Sequence, residues 1–116
     1  MLIKEKRIKK RKEFEVIFKD SKSLRDNLFI LKVAKNNLQI SRFGFIVSQK
    51  VSKKAVVRNK VRRRLVATIK ATEKNIKEGN DIVFIALSGI EKKEFSEIKR
   101  AVNNALIKAR VFMKEN

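Results

Sequence analysis

The sequence predicts a single α+β domain, with a small central sheet and helices that pack against it. Residues 28–34 and 43–48 are rich in strand-forming residues, and residues 54–72 follow helical periodicity. Residues 81–87 form an almost continuous apolar run, which predicts a strand buried on both faces. With 116 residues, 43% of them hydrophobic, the chain has the size and composition of one domain, spanning 1–116.

The spacing of apolar residues predicts three helices. Phe14 and Phe18 lie one turn apart and indicate a short helix over residues 12–20. Along residues 54–72 the apolar positions share one side, and lysines and arginines occupy much of the remaining surface. Residues 92–113 keep the same spacing and predict a long closing helix. The phenylalanines that we expect in the core are Phe43, Phe45, Phe84, Phe95 and Phe112.

The predicted elements follow the order helix, strand, strand, helix, strand, helix. We expect the first two strands to pair as a hairpin, because residues 35–37 between them form a turn signal. The helix of residues 54–72 then joins the second strand to the third as a βαβ crossover, whose usual hand is right. Residues 20–23 predict only a turn after the first helix.

Positive charge is concentrated in the middle of the chain, and the whole chain carries +19 at pH 7. No acidic residue lies between Asp26 and Glu73. Twelve cations occupy this segment: Lys32, Lys35, Arg42, Lys50, Lys53, Lys54, Arg58, Lys60, Arg62, Arg63, Arg64 and Lys70. A block of one sign stores electrostatic repulsion that a polyanion relieves, so the sequence predicts nucleic acid as the partner.

The predicted RNA-binding residues lie within and just before the helix of residues 54–72, away from its apolar side. They are Lys50, Lys53, Lys54, Arg58, Asn59, Lys60, Arg62 and Arg63. The alternative is an ordinary solvated helix face, although this helix has no acidic residue within reach of an i,i+4 ion pair. Residues 1–11 form a second basic segment, interpreted as an arm that stays flexible until it meets RNA. Its candidate phosphate-binding residues are Arg7, Lys9, Lys10 and Arg11.

The chain contains no histidine and no cysteine. This composition excludes disulfides and removes the usual zinc ligands and the commonest general base. The acidic residues fall mostly in charge-alternating stretches, so we predict no catalytic residue and no metal site in the protein itself. No apolar run has the length of a membrane span, and we expect no membrane partner and a cytoplasmic location.

Residues 55–63 read Ala-Val-Val-Arg-Asn-Lys-Val-Arg-Arg. A predicted strand that contains Gly44 and Ser48 precedes them, and a basic segment precedes the helix of Phe14 and Phe18. In this motif, in its surroundings, in its size and in its order of elements, the chain resembles the protein subunit of bacterial ribonuclease P. The resemblance extends over essentially the whole chain.

The resemblance implies a function in tRNA maturation. The chain would assist an RNA-based endoribonuclease that removes the 5′ leader from precursor tRNA. Catalysis is expected from an RNA subunit, with Mg²⁺ held mainly by that RNA. The implied partners are the catalytic RNA and precursor tRNA, and a protein oligomer is not expected. The resemblance also implies that the βαβ crossover is left-handed, against the general rule.

The resemblance further implies a cleft that binds the leader. Its candidate residues are Phe14, Phe18, Lys32 and Ser48. Phe14 and Phe18 either stack on bases or pin the first helix to the sheet. Lys32 stands where the family often has an aromatic residue, and it either contacts phosphate or discourages strand pairing at an edge. Val66 and Arg64 also depart from the family pattern, which has a basic and an apolar residue there.

Two other functions are compatible with the residues alone. A ribosomal or architectural RNA-binding protein would bind many structured RNAs without stimulating leader cleavage. A protein-only nuclease would cleave without any RNA subunit.

Overall fold

The computed structural model describes residues 6–113. Three α-helices and four β-strands make up this described part, with two short 3₁₀ turns at Glu73–Asn75 and Ile90–Lys92. In chain order they are α1 (Arg11–Lys19), β1 (Lys22–Arg25), β2 (Phe29–Lys35), β3 (Arg42–Ile46), α2 (Ala55–Thr72), β4 (Asn80–Ala86) and α3 (Phe95–Lys108). The predicted α+β class is confirmed. No helix in this range is long and apolar enough to cross a membrane.

The four strands form one mixed sheet in the order β1-β2-β4-β3. β4 pairs antiparallel with β2 and parallel with β3, so the predicted βαβ crossover through α2 is confirmed. The predicted hairpin between β2 and β3 is wrong, because β4 lies between them. β4 carries the most continuous apolar run, and the central position buries both of its faces. The hand of the crossover stays a prediction.

β1 was expected to be only a turn. Its sequence, Lys-Ser-Leu-Arg, contains one apolar residue, Leu24, and has no clear strand signal. It nevertheless pairs antiparallel with β2, with Leu24 opposite Leu31. An edge strand needs little apolar surface, because its hydrogen bonds to the neighbouring strand and one inward side chain are enough to hold it.

The main core lies between one face of the sheet and the two long helices. Alternate strand residues face it, including Phe29 and Leu31 of β2 and Phe84 of β4, all fully buried. The rings of Phe29 and Phe84 meet edge to face with centroids 5.2 Å apart. From the helices, the residues that fill this core are Val61, Leu65 and Ile69 of α2 and Ile98, Val102, Ala105 and Leu106 of α3.

The closing helix is shorter than predicted at both ends. Phe95 is its first residue and is 41% exposed, so its assignment to the core is wrong. Phe43 and Phe84 are buried as predicted, and Phe45 and Phe112 pack against the core from partly buried positions. At its C-terminus, α3 ends in two hydrogen bonds of the Schellman type, in which Arg110 and Val111 donate to Ile107 and Leu106.

A smaller core forms on the opposite face of the sheet, under α1. Ile17 of α1 is buried there with Ile8 and Val83. Phe14 lies directly on β3, because Gly44 has no side chain: a Cβ atom there would be 2.6 Å from the Phe14 ring. Gly44 therefore determines how closely α1 approaches the sheet.

The inner part of the basic arm is docked on the edge of β3. Arg7 forms a parallel bridge with Phe43, and the Ile8 N–H donates to the Phe43 carbonyl at 2.8 Å. From residue 7 onward the arm contacts the domain, and the side chain of Ile8 is buried under α1, whereas its flexibility before RNA binds stays a prediction. Residues 1–5 of the arm lie outside the described residues.

Candidate nucleic-acid interface

The loop between β3 and α2 is held by hydrogen bonds between residues close in sequence and by one buried apolar residue. Val51 is buried in the main core, and its N–H donates to the Ser48 carbonyl at 3.0 Å. The hydroxyl oxygens of Ser48 and Ser52 accept from the N–H groups of Lys50 and Lys54, each at 3.2 Å. The loop thus presents its lysines from a defined backbone.

Arg58 contributes to the shape of this loop. One of its guanidinium nitrogens donates to the carbonyls of both Ser52 and Lys53, at 3.0 Å each. Its side chain is partly buried as a result. Arg58 was predicted to bind RNA, and the structure gives it a second role: it fixes the backbone that precedes α2.

The remaining predicted RNA-binding residues form a basic surface at the N-terminal half of α2. Lys50, Lys53, Lys54, Asn59, Lys60 and Arg63 are exposed, and Arg62 is partly buried. Arg62 donates to the Asn59 side-chain oxygen at 2.7 Å, which orients its guanidinium along the helix. The opposite side of α2 is buried through Val61, Leu65 and Ile69, so this surface is turned to solvent.

The cations of this α2 basic surface have no acidic partner. Within residues 6–113, no lysine or arginine from Lys50 to Lys70 takes part in a salt bridge. The first turn of α2 also carries no acidic residue and no side-chain cap. Its free N–H groups and the helix dipole add positive potential at the same end. The surface is therefore suited to bind several phosphates.

The two residues that depart from the family pattern have structural contacts. Arg64 reaches across to the loop before α3, where it donates to the Lys93 carbonyl at 2.8 Å. Val66 packs against the main core from a partly buried position. Arg64 thus joins α2 to the α3 side of the domain, and neither residue belongs to the α2 basic surface.

Three of the four predicted cleft residues share the face of the sheet that carries α1. Phe14 and Phe18 of α1 have ring centroids 6.3 Å apart, and Phe18 is 42% exposed. Lys32 and Gly44 both pair with Val83, so Lys32 lies two strands away from the glycine that Phe14 covers. Ser48 lies beyond the end of β3, at the start of the basic loop.

The face of the sheet beside α1, which we call the α1-side cleft after the predicted leader cleft, also carries apolar residues outside the predicted set. Ile30, Ile85 and Ile46 lie side by side in register on β2, β4 and β3, and all three are only partly buried. Their place on the α1 face follows from strand alternation, which was the available signal. Apolar side chains beside Phe14 and Phe18 give a surface on which bases could stack.

Arg42 differs from the other cations of the acid-free segment, because it is paired twice. It binds the Asp81 carboxylate and also the carboxylate of Glu13 on α1. The hydrogen bond from Arg42 holds the pKa of Glu13 below its ordinary value, and hydrogen bonding to Asp81 raises the pKa of Arg42. Asn36 adds a further hydrogen bond to Asp81 at 2.8 Å. This network ties α1 to the sheet and removes Arg42 from the charge available to RNA.

The predicted arm residues lie at the N-terminus of α1. Lys9, Lys10 and Arg11 are exposed, and Arg11 forms a surface ion pair with Glu15 at 3.6 Å. Arg7 is partly buried at the bridge to β3. No group of three or more acidic side chains that could hold a metal ion is found among residues 6–113.

Comparison with known proteins agrees with this geometry. A model of the Ribonuclease P family matches residues 2–110. The ribonuclease P protein component of Clostridium botulinum is 40% identical over 111 residues, covering 95% of this chain and 99% of that protein. That of Caldanaerobacter subterraneus is 30% identical over 106 residues, covering 91% of this chain and 90% of that protein.

Two solved structures share the fold. The Staphylococcus aureus RNase P protein superimposes with a TM-score of 0.86 at 29% identity, covering 93% of this chain and 98% of that chain. The RNase P protein from Thermotoga maritima gives a TM-score of 0.80 at 30% identity, covering 88% of this chain and 96% of that chain. The chain therefore belongs to the family of ribonuclease P protein components.

Proposed function

We propose that this ribonuclease P protein component uses two faces for two RNAs. The α2 basic surface binds the catalytic RNA, and the α1-side cleft binds the single-stranded 5′ leader of precursor tRNA. Bringing the two polyanions together costs electrostatic energy, and the chain lowers that cost by supplying positive charge between them. We propose that this processing takes place in the cytoplasm.

The observation that carries this proposal is the unpaired charge of the α2 basic surface. Cations on an ordinary solvated face are interspersed with acids, whereas the first turns of α2 carry none. The cleft is different in character: it combines Phe14, Phe18 and a row of isoleucines with Lys32. Aromatic and apolar groups with few cations suit single-stranded bases, whereas a dense cationic surface suits a folded phosphate backbone.

We further propose that catalysis comes from the RNA subunit. The chain has no histidine or cysteine, and its basic block contains no carboxylate that could activate water. Mg²⁺ prefers phosphate and water oxygens, so the RNA would hold it and supply the hydrolytic chemistry. The residues of this chain bind, orient and neutralise charge.

The experiment that tests this proposal is precursor-tRNA cleavage with and without the catalytic RNA. At low magnesium the RNA alone is expected to be slow, and the protein should restore cleavage by taking over part of the charge neutralisation. Raising magnesium should shrink the advantage. Cleavage by the protein alone would contradict the proposal, and a failure to stimulate the RNA at every magnesium concentration would favour a purely architectural RNA-binding role.

A further inference from the structure

A second basic surface lies at the β1 edge of the sheet, where two grooves join. Both grooves have Lys22, Val33, Ala109 and Arg110 in their walls, and the larger is an open groove of about 880 Å³. They lie where β1 begins, where β2 ends and where the chain leaves α3. We call this surface the β1-edge groove.

Positive charge predominates in the β1-edge groove. Its cations are Lys22, Lys35, Lys77, Lys108 and Arg110. Only two acids, Asp20 and Glu78, share its walls, and both line the larger groove. None of the five cations takes part in a salt bridge within the described range 6–113. The groove thus repeats, on a smaller scale, the unpaired charge of the α2 basic surface.

Arg110 occupies a backbone position that favours glycine. Its φ is +59°, in the left-handed region, at the residue that follows the C-terminus of α3. Glycine is preferred at this point of a Schellman motif because it has no Cβ. An arginine held in such a conformation directs a cation at the groove despite the local cost, and residues of this kind cluster at functional sites.

The β1-edge groove is distant from the α2 basic surface. β1 and β3 are the two opposite edges of the sheet, and α2 begins just after β3. An RNA segment on the first turns of α2 therefore meets the β3 side of the domain. The β1-edge groove needs a ligand that reaches the other side.

The α1-side cleft does extend to the β1 edge of the sheet. On the cleft face, Ser23 of β1 lies directly opposite Lys32 of β2. The preceding residue, Lys22, lies opposite Val33 and faces the other side of the sheet, in the wall of the groove. A four-residue edge strand thus separates the floor of the cleft from the groove.

We propose that the β1-edge groove binds the phosphates of leader nucleotides beyond those in the cleft, so that a long leader passes around β1. This inference rests on the proposed function, because it requires the leader to occupy the cleft. A single strand can make this turn, and its phosphates match the unpaired cations of the groove.

The test compares precursor tRNAs that have leaders of about 5 and about 15 nucleotides, bound to the holoenzyme reconstituted with its catalytic RNA. The groove variant is Lys22→Thr/Lys108→Ala/Arg110→Gly, in which each new residue suits its strand, helix or left-handed position. We expect it to weaken binding of the long-leader substrate by about tenfold and that of the short-leader substrate by less than about twofold. For the long-leader substrate, the slope of log affinity against log salt concentration should decrease in magnitude by about 2, because three contacts to a single strand are lost. The slope for the short-leader substrate should not change.

The matched control is Lys92→Ala/Lys99→Ala/Arg100→Ala, which removes the same charge from exposed positions outside the groove. It should affect both substrates equally. If the groove variant keeps the parent's ratio of affinities for the long-leader and short-leader substrates, with neither affinity reduced, the inference is overturned. An equal loss of affinity for both substrates would also overturn it, and would assign the groove to the tRNA body or the catalytic RNA. Failure of the proposed function is a separate result, because it would appear as unstimulated cleavage with the unmodified chain.

Discussion

The guanidinium of Arg42 clasps the carboxylate of Asp81 with two parallel hydrogen bonds, Nε to Oδ1 at 2.9 Å and Nη2 to Oδ2 at 2.7 Å. Asp81 is buried at 5% exposure, and the third arm of the guanidinium binds Glu13 of α1. Two-point pairing of this kind fixes orientation as well as distance. Arg42 therefore joins the edge strand β3 to β4 and to α1, and it determines where the aromatic wall of the cleft lies.

Replacing Arg42 with alanine should destabilise the protein by about 2–4 kcal/mol, because it leaves a buried carboxylate without its counter-charge. Urea unfolding measures the change, with Lys60→Ala as a control that removes an exposed cation. Leader affinity should fall as well, since α1 loses its anchor, whereas affinity for the catalytic RNA should be nearly unchanged in any molecules that remain folded. Equal stability of Arg42→Ala and Lys60→Ala would contradict this assignment.

The same network predicts a pH dependence. The pKa of Glu13 is lowered in the folded protein relative to its ordinary value of 4.5, by its hydrogen bond from Arg42. The group therefore stabilises the fold above that ordinary value, and this contribution is lost as pH falls through the lowered folded pKa. A comparison of urea midpoints at about pH 7 and about pH 3 should show a smaller acid loss for Glu13→Gln than for the parent. An identical acid loss in the two proteins would show that Glu13 is not linked to folding.

Gly44→Ala should disturb the cleft through a steric clash. The added methyl would lie 2.6 and 2.9 Å from two atoms of the Phe14 ring, so the ring or α1 must move. We expect a stability loss of about 1–3 kcal/mol, typical of overpacking, together with weaker leader binding. The double variant Gly44→Ala/Phe14→Leu makes room for the methyl and should recover part of the stability loss; strictly additive losses would mean that the two residues do not clash.

Alanine substitutions of Arg58 and Arg63 should differ in their effect on stability, although both should weaken RNA binding. Arg63 is exposed, so Arg63→Ala should weaken binding to the catalytic RNA by about 1 kcal/mol or more while leaving stability within about 0.5 kcal/mol. Arg58→Ala should lose RNA affinity and also about 1–2 kcal/mol of stability, because Arg58 holds the loop carbonyls of Ser52 and Lys53. Filter binding measures the RNA affinity and thermal unfolding measures the stability. Unaltered stability of Arg58→Ala would show that its hydrogen bonds to the loop do not stabilise the fold.

Affinity for the catalytic RNA should decrease log-linearly with salt. Each neutralised phosphate contributes about −0.7 to −0.9 to the slope, so five or more contacts give a slope beyond about −3.5. Replacing Lys60 and Arg63 together should reduce the magnitude of this slope by about 1.5. A binding constant that hardly changes with salt would rule out the α2 basic surface as an electrostatic interface.

The amino-acid sequence by itself determined the helices, three of the strands and the basic surface. Periodicity placed α2 within one residue of its observed bounds, because apolar residues recur every three or four positions on one side of it. The run that forms β4 was identifiable as a strand buried on both faces, because its residues from Ile82 to Ala86 are all apolar. The excess of positive charge could be predicted without a structure, since net charge follows from composition.

Strand partners were decided by the tertiary structure. β2 and β3 are neighbours in sequence, but both pair with β4. A strand between two others is buried on both faces, so the most apolar strand is the most stable there, and β4 is distant in sequence from β2 and β3. β1 became a strand only because β2 offered it an edge. Local patterns carry no information about such long-range pairing.

The tertiary structure also divided the cations into classes that the sequence could not separate. Arg42, Arg58 and Arg63 all belong to the same acid-free segment. Folding brings Glu13 and Asp81 to Arg42, turns Arg58 back onto its own loop and leaves Arg63 in solvent. Which charge is free to meet RNA depends on the distance to partners far along the chain, and folding alone sets that distance.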